Sequence, residues 1–231
     1  MNAPVLRFEN LTGGYGSIPI IREITGRVER GSCLCVLGRN GVGKSTLLKM
    51  LSGHLPAMSG QIALNGRDIT SLAPEKRHDL GVNTGLQERP VFDGLSVKDN
   101  LTLMQSDQDL EGCEPFFDAF PVLKDRLVQL AGTLSGGERK ILSFVRTLKD
   151  NAPLTLLDEP SEGVQPENIE HMANFICKHK ANGQSFLVVE QHLHLAEEIA
   201  DGFQVLDNGR SVLECKVGDI TRGELVQQIT V

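Results

Sequence analysis

Long apolar stretches are missing from this 231-residue chain. The longest run is about five residues, whereas a helix that crosses a bilayer needs about 20. Basic clusters are missing as well: 23 Lys and Arg residues stand against 30 Asp and Glu residues, for a net charge of −7. No basic run has the density of a nucleic-acid surface. We therefore expect neither a membrane-spanning segment nor a nucleic-acid partner.

Cysteine pairs of the C-x-x-C kind are also missing, although the chain has five cysteines. Cys33 and Cys35 alternate within an apolar run and are predicted to be small core residues rather than metal ligands. The first residues show no signal-peptide pattern, and a reducing cytoplasm is the simplest compartment for free thiols. At this length the chain can bury the core of one domain, with room for a subdomain.

Residues 38–45 read G-x-x-x-x-G-K-S, the pattern of a phosphate-binding loop. An apolar run precedes the loop and a helix-like pattern follows it, which is the setting that the motif requires. Backbone N–H groups of such a loop surround a polyphosphate, and the helix N-terminus adds partial positive charge. Lys44 would reach the β- and γ-phosphates, and the Ser45 hydroxyl would ligate Mg²⁺. Unless this is a glycine-rich turn with a chance lysine, the predicted nucleotide-binding residues are Gly38, Arg39, Asn40, Gly41, Val42, Gly43, Lys44, Ser45 and Thr46.

A second pattern, L-S-G-G-E, occupies residues 134–138. Ser135 and Glu138 fit the S-x-x-E capping box, and the apolar residues that follow share one helical face. Taken alone, this could be an ordinary well-capped helix. A third pattern is the apolar run over residues 154–157, which ends in Asp158 and Glu159. It indicates a buried parallel strand that delivers two carboxylates to the carboxyl edge of a sheet.

In this order and spacing, the three motifs resemble those of the ATP-binding subunits of ABC transporters. Residues 38–45 are similar to the Walker A motif of that family, residues 134–138 to its signature motif and residues 154–159 to its Walker B motif. The resemblance extends from Tyr15 to about Gly209, nearly from end to end.

The resemblance implies an α/β fold: a P-loop NTPase core with a parallel sheet, an antiparallel N-terminal β subdomain and a helical subdomain. It implies a single nucleotide-binding domain over residues 1–231, with the catalytic core at about 1–87 and 151–231 and the helical subdomain at about 88–150. Apolar patterns predict strands over residues 5–10, 18–29, 61–65, 154–157 and 185–189, a hairpin of 203–206 and 211–214, and helices over 115–130 (interrupted at Pro121) and 167–181.

The resemblance also implies roles for four side chains besides the phosphate loop. Asp158 would bind Mg²⁺ together with Ser45, since this ion prefers carboxylate and phosphate oxygens. Glu159 would polarise the attacking water, the alternative being a merely solvated carboxylate at a strand end. Gln87 would contact Mg²⁺ or the water, although a lone glutamine is usually a surface residue. Tyr15 would stack on adenine, with core packing as the competing interpretation.

Two positions depart from the family pattern. The family has a histidine that contacts the γ-phosphate at a set distance before an Ala-Asp pair. Counted back from Asp201, that position is Gln191, with His192 one residue late. Gln191 is therefore predicted to contact the γ-phosphate as a neutral amide donor, unless a local shift brings in His192. Gln165 stands where the family usually has an aspartate at the dimer contact, so its role in coupling two sites is open.

The implied mechanism is a nucleotide sandwich between two subunits. A second ATP-binding subunit, identical or different, would close its own Ser135, Gly136 and Gly137 over the γ-phosphate held by this chain. A side chain at Gly137 is expected to obstruct that partner site alone. Transmembrane permease subunits would contact residues 88–104, which places the chain at the cytoplasmic face of the inner membrane. A periplasmic solute-binding protein would take part indirectly.

Residues 159–166 and 189–191 resemble the ATPase subunits of importers for branched-chain amino acids, urea and short-chain amides, and residues 38–44 and 120–124 are closer to the urea type. The implied function is ATP hydrolysis that drives uptake of such a small polar solute. A soluble ABC-type ATPase of DNA repair or translation is the alternative, but long coiled-coil insertions, tandem domains and basic surfaces are not seen. A non-catalytic nucleotide-binding regulator is a third candidate, against which Glu159 counts.

Overall fold

The computed structural model describes residues 3–88, 90–103 and 109–230 of the chain. The strands are β1 Leu6–Tyr15, β2 Ile18–Val28, β3 Cys33–Leu37, β4 Ser59–Leu64, β5 Arg67–Asp68, β6 Val82–Gly85, β7 Leu154–Asp158, β8 Ser185–Glu190, β9 Gly202–Asp207 and β10 Arg210–Lys216. The α-helices are α1 Lys44–Ser52, α2 Pro74–Asp79, α3 Val97–Thr102, α4 Glu114–Ala119, α5 Pro121–Asp125, α6 Gly136–Leu148, α7 Pro166–Ala181, α8 Leu193–Ile199 and α9 Arg222–Thr230.

Six strands form the central sheet, in the order β10-β9-β3-β8-β7-β6. The five strands from β9 to β6 pair in parallel, and β10 adds an antiparallel edge through its hairpin with β9. Every residue of β3, β7 and β8 is buried, which explains why these strands are almost continuously apolar. The phosphate loop follows β3 and the two carboxylates follow β7, so both lie at the carboxyl edge of this sheet.

Each face of the central sheet has its own apolar core. An antiparallel sheet in the order β2-β1-β4-β5 packs with α1 on one face, where it meets Leu34 and Val36 of β3. Cys33 and Cys35 lie on the opposite face, in the core shared with the helices. Side chains alternate along a strand, so neighbouring residues of β3 enter different cores. The prediction that both cysteines are buried core residues is confirmed.

Helices α3 to α6 lie between β6 and β7 in the chain, and α6 is the longest of the four. The helical face that the sequence predicts for α6 is buried: Ile141, Leu142, Phe144, Val145 and Leu148. The division into a core and a helical subdomain near residues 88 and 150 stays a prediction. In the part of the chain that the structure describes, no helix is long and apolar enough to cross a membrane.

The predicted α/β fold class is confirmed, and the hairpin and both parallel core strands lie where the sequence places them. Strand β1 runs past its predicted end, because bulges in its pairing with β2 carry it to Tyr15. The helix predicted over residues 115–130 is wrong beyond Asp125. There the backbone accepts hydrogen bonds from N–H groups at the start of α3, so tertiary pairing outweighs the helical pattern. Strand β6 and helices α2, α8 and α9 were not predicted.

Candidate functional site

The phosphate loop joins the end of β3 to the start of α1. Gly43 occupies the N-cap position with φ 108°, and a Cβ there would lie 2.7 Å from Cδ1 of Ile21, so only glycine fits. The buried ammonium of Lys44 donates to the carbonyls of Gly38 (2.8 Å) and Arg39 (3.1 Å). The loop is therefore wrapped around the Lys44 Nζ atom, at the amino end of a helix, where anions are favoured.

Ser45 and Asp158 meet at the carboxyl edge of the sheet, where the Ser45 hydroxyl donates to Asp158 Oδ1 at 2.9 Å. Burial raises the pKa of Asp158, and the nearby charge of Glu159 adds to the rise, while the hydrogen bond from Ser45 opposes it. A hydroxyl and a carboxylate are hard oxygen donors, which fit Mg²⁺. Among the described residues, no group of three or more His, Cys, Asp or Glu side chains could hold a metal. Ser45 and Asp158 are thus the residues here that could hold Mg²⁺ beside the nucleotide phosphates.

Glu159 is buried and fixed from several sides. Its Oε1 lies 3.1 Å from Lys44 Nζ, and its Oε2 accepts a hydrogen bond from Gln87 Nε2 at 3.1 Å. The backbone at Glu159 has φ 44°, a left-handed conformation that costs a non-glycine residue roughly 1–3 kcal/mol. A merely solvated carboxylate at a strand end would need none of these contacts, so that alternative is wrong.

A cleft of about 420 Å³ brings most of the predicted nucleotide-binding residues together. Tyr15 lines it at the end of β1 and is 52% exposed, so the core-packing interpretation of this residue is wrong. The other predicted residues in its walls are Asn40, Gly41, Gly43, Lys44, Ser45, Thr46, Gln87 and Glu159.

Three predicted residues of the phosphate loop lie outside these walls. Gly38 and Val42 are buried, and Arg39 is exposed, with its guanidinium 3.7 Å from Asp207. Gly38 and Val42 thus face the protein interior and do not line the cleft. A contact between Arg39 and a nucleotide stays a prediction.

The amino end of α6 is capped as the sequence predicts. Ser135 Oγ accepts from the Glu138 N–H (3.3 Å), and Glu138 Oε2 accepts from the Ser135 N–H (2.8 Å). Gly136 faces open space, whereas a Cβ on Gly137 would lie 2.8 Å from the carbonyl oxygen of Gly163. The expectation that a side chain at Gly137 would obstruct only a partner is therefore wrong, because it would first meet its own chain.

Ser135, Gly136 and Gly137 do not line the phosphate-loop cleft. They line a second cleft of about 710 Å³, together with Gln165 and Glu162. Within one chain, the signature motif and the phosphate loop are therefore separate surfaces. Gln165 occupies the N-cap position of α7 and is exposed.

The two candidate γ-phosphate contacts follow β8. Gln191 is half-buried, and its backbone N–H donates to Glu190 Oε2 at 3.3 Å. His192 is exposed and occupies the N-cap position of α8. Neither is among the residues that line the phosphate-loop cleft, so their contact with a γ-phosphate stays a prediction.

Three charged residues at the site were missed by sequence reasoning. Lys140 Nζ donates to the carbonyl oxygen of Glu159 at 2.7 Å, and Glu162 Oε2 accepts from Gln87 Nε2 at 2.6 Å. Glu190 is completely buried, and burial raises its pKa. Only Glu190 left a signal in the sequence, as a carboxylate that directly follows the apolar run of β8.

Comparison with known proteins decides the family. The sequence pattern of the family described as "ABC transporter" matches residues 21–162, more than half of the chain. The chain belongs to the ABC transporter family. A relative from Archaeoglobus fulgidus named "Probable branched-chain amino acid transport ATP-binding protein LivF" is 34% identical over 97% of this chain and 98% of its own. "High-affinity branched-chain amino acid transport ATP-binding protein BraG" of Pseudomonas aeruginosa is 34% identical over 90% and 91% of the two chains.

Solved ABC transporter structures share the fold. A nucleotide-free ATP-binding cassette matches with a TM-score of 0.79 and 25% identity, over 99% of this chain and 96% of that one. An ATP-binding cassette in its ADP conformation matches with a TM-score of 0.78 and 25% identity, over 98% of both chains. This chain is accordingly an ABC ATP-binding subunit, a nucleotide-binding protein of a family that hydrolyses ATP.

Proposed function

We propose that this chain is the ATP-hydrolysing subunit of an importer for branched-chain amino acids or a related small polar solute. The observation that carries the proposal is the meeting of Lys44, Ser45 and Glu159 at one cleft, with Asp158 hydrogen-bonded to Ser45 behind it. The site combines the phosphate loop, two oxygen atoms that could bind Mg²⁺, and the carboxylate of Glu159, which pairs with Lys44. The names of the archaeal relative and of the bacterial relative support branched-chain amino acids as the solute. Urea and short-chain amides are the other solutes that the sequence resemblance implies.

Hydrolysis of ATP needs positioned charge more than covalent chemistry. The phosphate loop and Lys44 would hold the β- and γ-phosphates while Tyr15 stacks on adenine. Ser45 and Asp158 would hold Mg²⁺, which would supply positive charge beside the phosphate oxygens. Glu159 would accept a hydrogen bond from the attacking water and orient it. Gln87, which already donates to Glu159, would contact the water or the ion.

The separation of the two clefts supports a two-subunit site. A γ-phosphate held by Lys44 would need Ser135, Gly136 and Gly137 from a second ATP-binding subunit, identical or different. The capped amino end of α6 suits that contact, because its backbone N–H groups and dipole favour an anion. The open space at Gly136 would allow the phosphate to come close.

A cleft of about 280 Å³ suits a permease subunit. Phe92 and Leu103 lie in its walls, 51% and 45% exposed, and the Arg146 guanidinium lies 5.3 Å from the centre of the Phe92 ring. Arg146 Nη1 is buried without a hydrogen-bond partner in the described ranges, and Arg146 Nη2 donates to the Pro90 carbonyl at 2.8 Å. The predicted contact segment, residues 88–104, contributes Phe92 and Leu103; its residues 89 and 104 lie outside the described ranges.

Such a subunit would act at the cytoplasmic face of the inner membrane, bound to two permease subunits. A periplasmic solute-binding protein would deliver the solute to them without touching this chain. No nucleic acid enters this scheme, which agrees with the net charge of −7.

The test is transport by the complete assembly. The chain is purified with its permease subunits and placed in liposomes, with ATP on its own side and the solute-binding protein on the other. Labelled leucine, urea and acetamide are offered separately. Leucine uptake that requires ATP is the expected result, with Glu159→Gln inactive and the exposed Glu167→Gln as the active control. Uptake of urea or acetamide alone would reassign the solute, and ATP-driven movement in the opposite direction would overturn the importer.

A further inference from the structure

The backbone of Glu159 needs support, because its left-handed φ of 44° is disfavoured for a residue with a side chain. Three hydrogen bonds hold its peptide groups. One is local, from the Glu162 N–H to the Glu159 carbonyl at 3.3 Å. The other two come from separate elements. The Glu159 N–H donates to the Val189 carbonyl at 2.9 Å, and the Glu159 carbonyl accepts from Lys140 Nζ at 2.7 Å. The first comes from the neighbouring strand of the sheet. The second comes from α6, the helix that begins with the signature motif.

Lys140 is well placed to transmit the position of that helix. Its side chain is 13% exposed, and it lies one helical turn beyond Gly136. Its ammonium also lies 3.7 Å from Glu162 Oε2. Glu162 lines both the phosphate-loop cleft and the signature cleft.

These contacts close into a ring around the carboxylate of Glu159. Lys140 binds the Glu159 carbonyl and pairs with Glu162; Glu162 accepts from Gln87 at 2.6 Å; Gln87 donates to Glu159 Oε2 at 3.1 Å. The amide nitrogen of Gln87 thus donates hydrogen bonds to two carboxylates, those of Glu159 and Glu162. Through this ring, a displacement of α6 changes the support of both the backbone and the side chain of Glu159.

We propose that Lys140 is a positioning residue for Glu159, with Glu162 as its charged partner. The proposal rests on the proposed function, since it assigns Glu159 to ATP hydrolysis. Lys140 would not touch the nucleotide of its own subunit. It would instead set the Glu159 carboxylate according to the position of α6, whose amino end would contact the nucleotide of the second subunit. Lys140 would thereby link the two nucleotide sites of a dimer.

The first test compares Lys140→Met, Lys140→Arg and the control Lys124→Met, which removes a charge from the exposed face of α5. Methionine keeps an unbranched stem and loses the donor. We expect Lys140→Met to lower kcat for ATP by about 10- to 100-fold, the size of effect that misplacement of a reacting group by 1 Å can have. KM and the affinity for a fluorescent ATP analogue should stay within about twofold, because the phosphate loop is untouched. Lys140→Arg should restore part of kcat, and Lys124→Met should match the wild type.

The second test uses hydrogen exchange of the isolated full chain without nucleotide. We expect faster exchange across residues 157–163 in Lys140→Met and no change there in Lys124→Met, since the lost contact lies within one chain. If Lys140→Met does not fold, Glu162→Gln takes its place. It keeps an acceptor for Gln87 but loses the ion pair with Lys140, and kcat should again fall at unchanged affinity.

Three results would overturn the proposal. The first is a wild-type kcat in Lys140→Met or its replacement. The second is a fall in kcat that follows loss of ATP affinity and is not relieved by arginine, and the third is unchanged exchange across residues 157–163. The proposed function fails separately. A Glu159→Gln variant that hydrolyses ATP removes Glu159 from catalysis, whereas an inactive Glu159→Gln beside a fully active Lys140→Met removes only Lys140.

Discussion

Ser161 donates two hydrogen bonds to the same carboxylate oxygen, Oε1 of Glu190: one from its backbone N–H at 3.0 Å and one from its hydroxyl at 2.7 Å. Ser161 belongs to the loop after the Walker B carboxylates, and Glu190 ends β8, next to the predicted γ-phosphate contact Gln191. The pair therefore fastens two parts of the nucleotide site to each other. Glu190 has no exposed surface, so its charge depends on these donors.

Removing the Ser161 hydroxyl should weaken the fold measurably. In Ser161→Ala the free energy of unfolding should fall by about 1–3 kcal/mol, because a hydrogen bond to a buried carboxylate is lost and no water replaces it. Urea denaturation measures the change. Ser17→Ala, at an exposed serine, is the control and should stay within about 0.5 kcal/mol of the wild type. Equal values for the two variants would contradict the importance of the hydroxyl.

The stability of the protein should depend on pH through Glu190. Burial raises the pKa of Glu190 in the folded protein, while the unfolded chain keeps the ordinary value. The folded state therefore binds the proton more tightly, and this contribution to stability is present below the ordinary pKa and lost as pH rises through the raised one. Glu190→Gln cannot titrate. Its free energy of unfolding minus that of the wild type should thus increase as pH rises above the ordinary glutamate pKa of about 4.3, and a constant difference would show that folding does not shift the pKa of Glu190.

Glu159→Gln should separate binding from turnover. The amide cannot polarise water, so hydrolysis should fall by about 10²- to 10⁴-fold, the usual range for a general base. The phosphate loop stays intact, because Lys44 also donates to the carbonyls of Gly38 and Arg39. ATP should therefore still bind and hold a dimer together, which equilibrium binding and size-exclusion chromatography would show. A rate near that of the wild type would remove Glu159 from the mechanism.

Gly136, rather than Gly137, is the position at which to test the signature motif. A Cβ at Gly136 meets nothing within 4 Å, and an aspartate at the first position of α6 favours the helix. Gly136→Asp should leave nucleotide affinity of the isolated chain unchanged. It should lower hydrolysis by the dimer at least about tenfold, because a like charge would face the partner's γ-phosphate. The control is Gly223→Asp near the start of α9, also in open space; a loss of ATP binding by isolated Gly136→Asp would contradict a contact in the second subunit.

The roles of Gln191 and His192 can be separated by three variants in the assembled transporter. Gln191→Ala should reduce the steady-state rate substantially, and His192→Ala only mildly, if the amide donates to the γ-phosphate. Gln191→His should stay active, because a neutral imidazole also donates one hydrogen bond. An inactive His192→Ala beside a near-normal Gln191→Ala would assign the contact to the histidine instead.

The sequence was most informative where neighbouring residues decide the structure. The phosphate loop and the capped start of α6 are contiguous motifs whose backbone needs are met by their own glycines and capping residues. The contact of Lys140 with Glu159 joins residues 19 apart, and that of Ser161 with Glu190 joins residues 29 apart. Neither leaves a pattern along the chain, because tertiary packing brings the partners together. The same cause ended the predicted helix at Asp125, where pairing with the start of α3 replaced it.

Helix α6 joins the cleft of the signature motif to the cleft proposed for the permease. Its 13 residues form a rod about 20 Å long, with Gly136 at one end and Arg146, in the cleft proposed for the permease, near the other. Lys140 lies between them, about 6 Å along the axis from Gly136 and about 9 Å from Arg146. Because a helix moves as a rod, a shift of α6 along its axis at Arg146 moves Lys140 and Gly136 by the same amount. A push from the permease would thus reach the support of Glu159 and the nucleotide of the second subunit together.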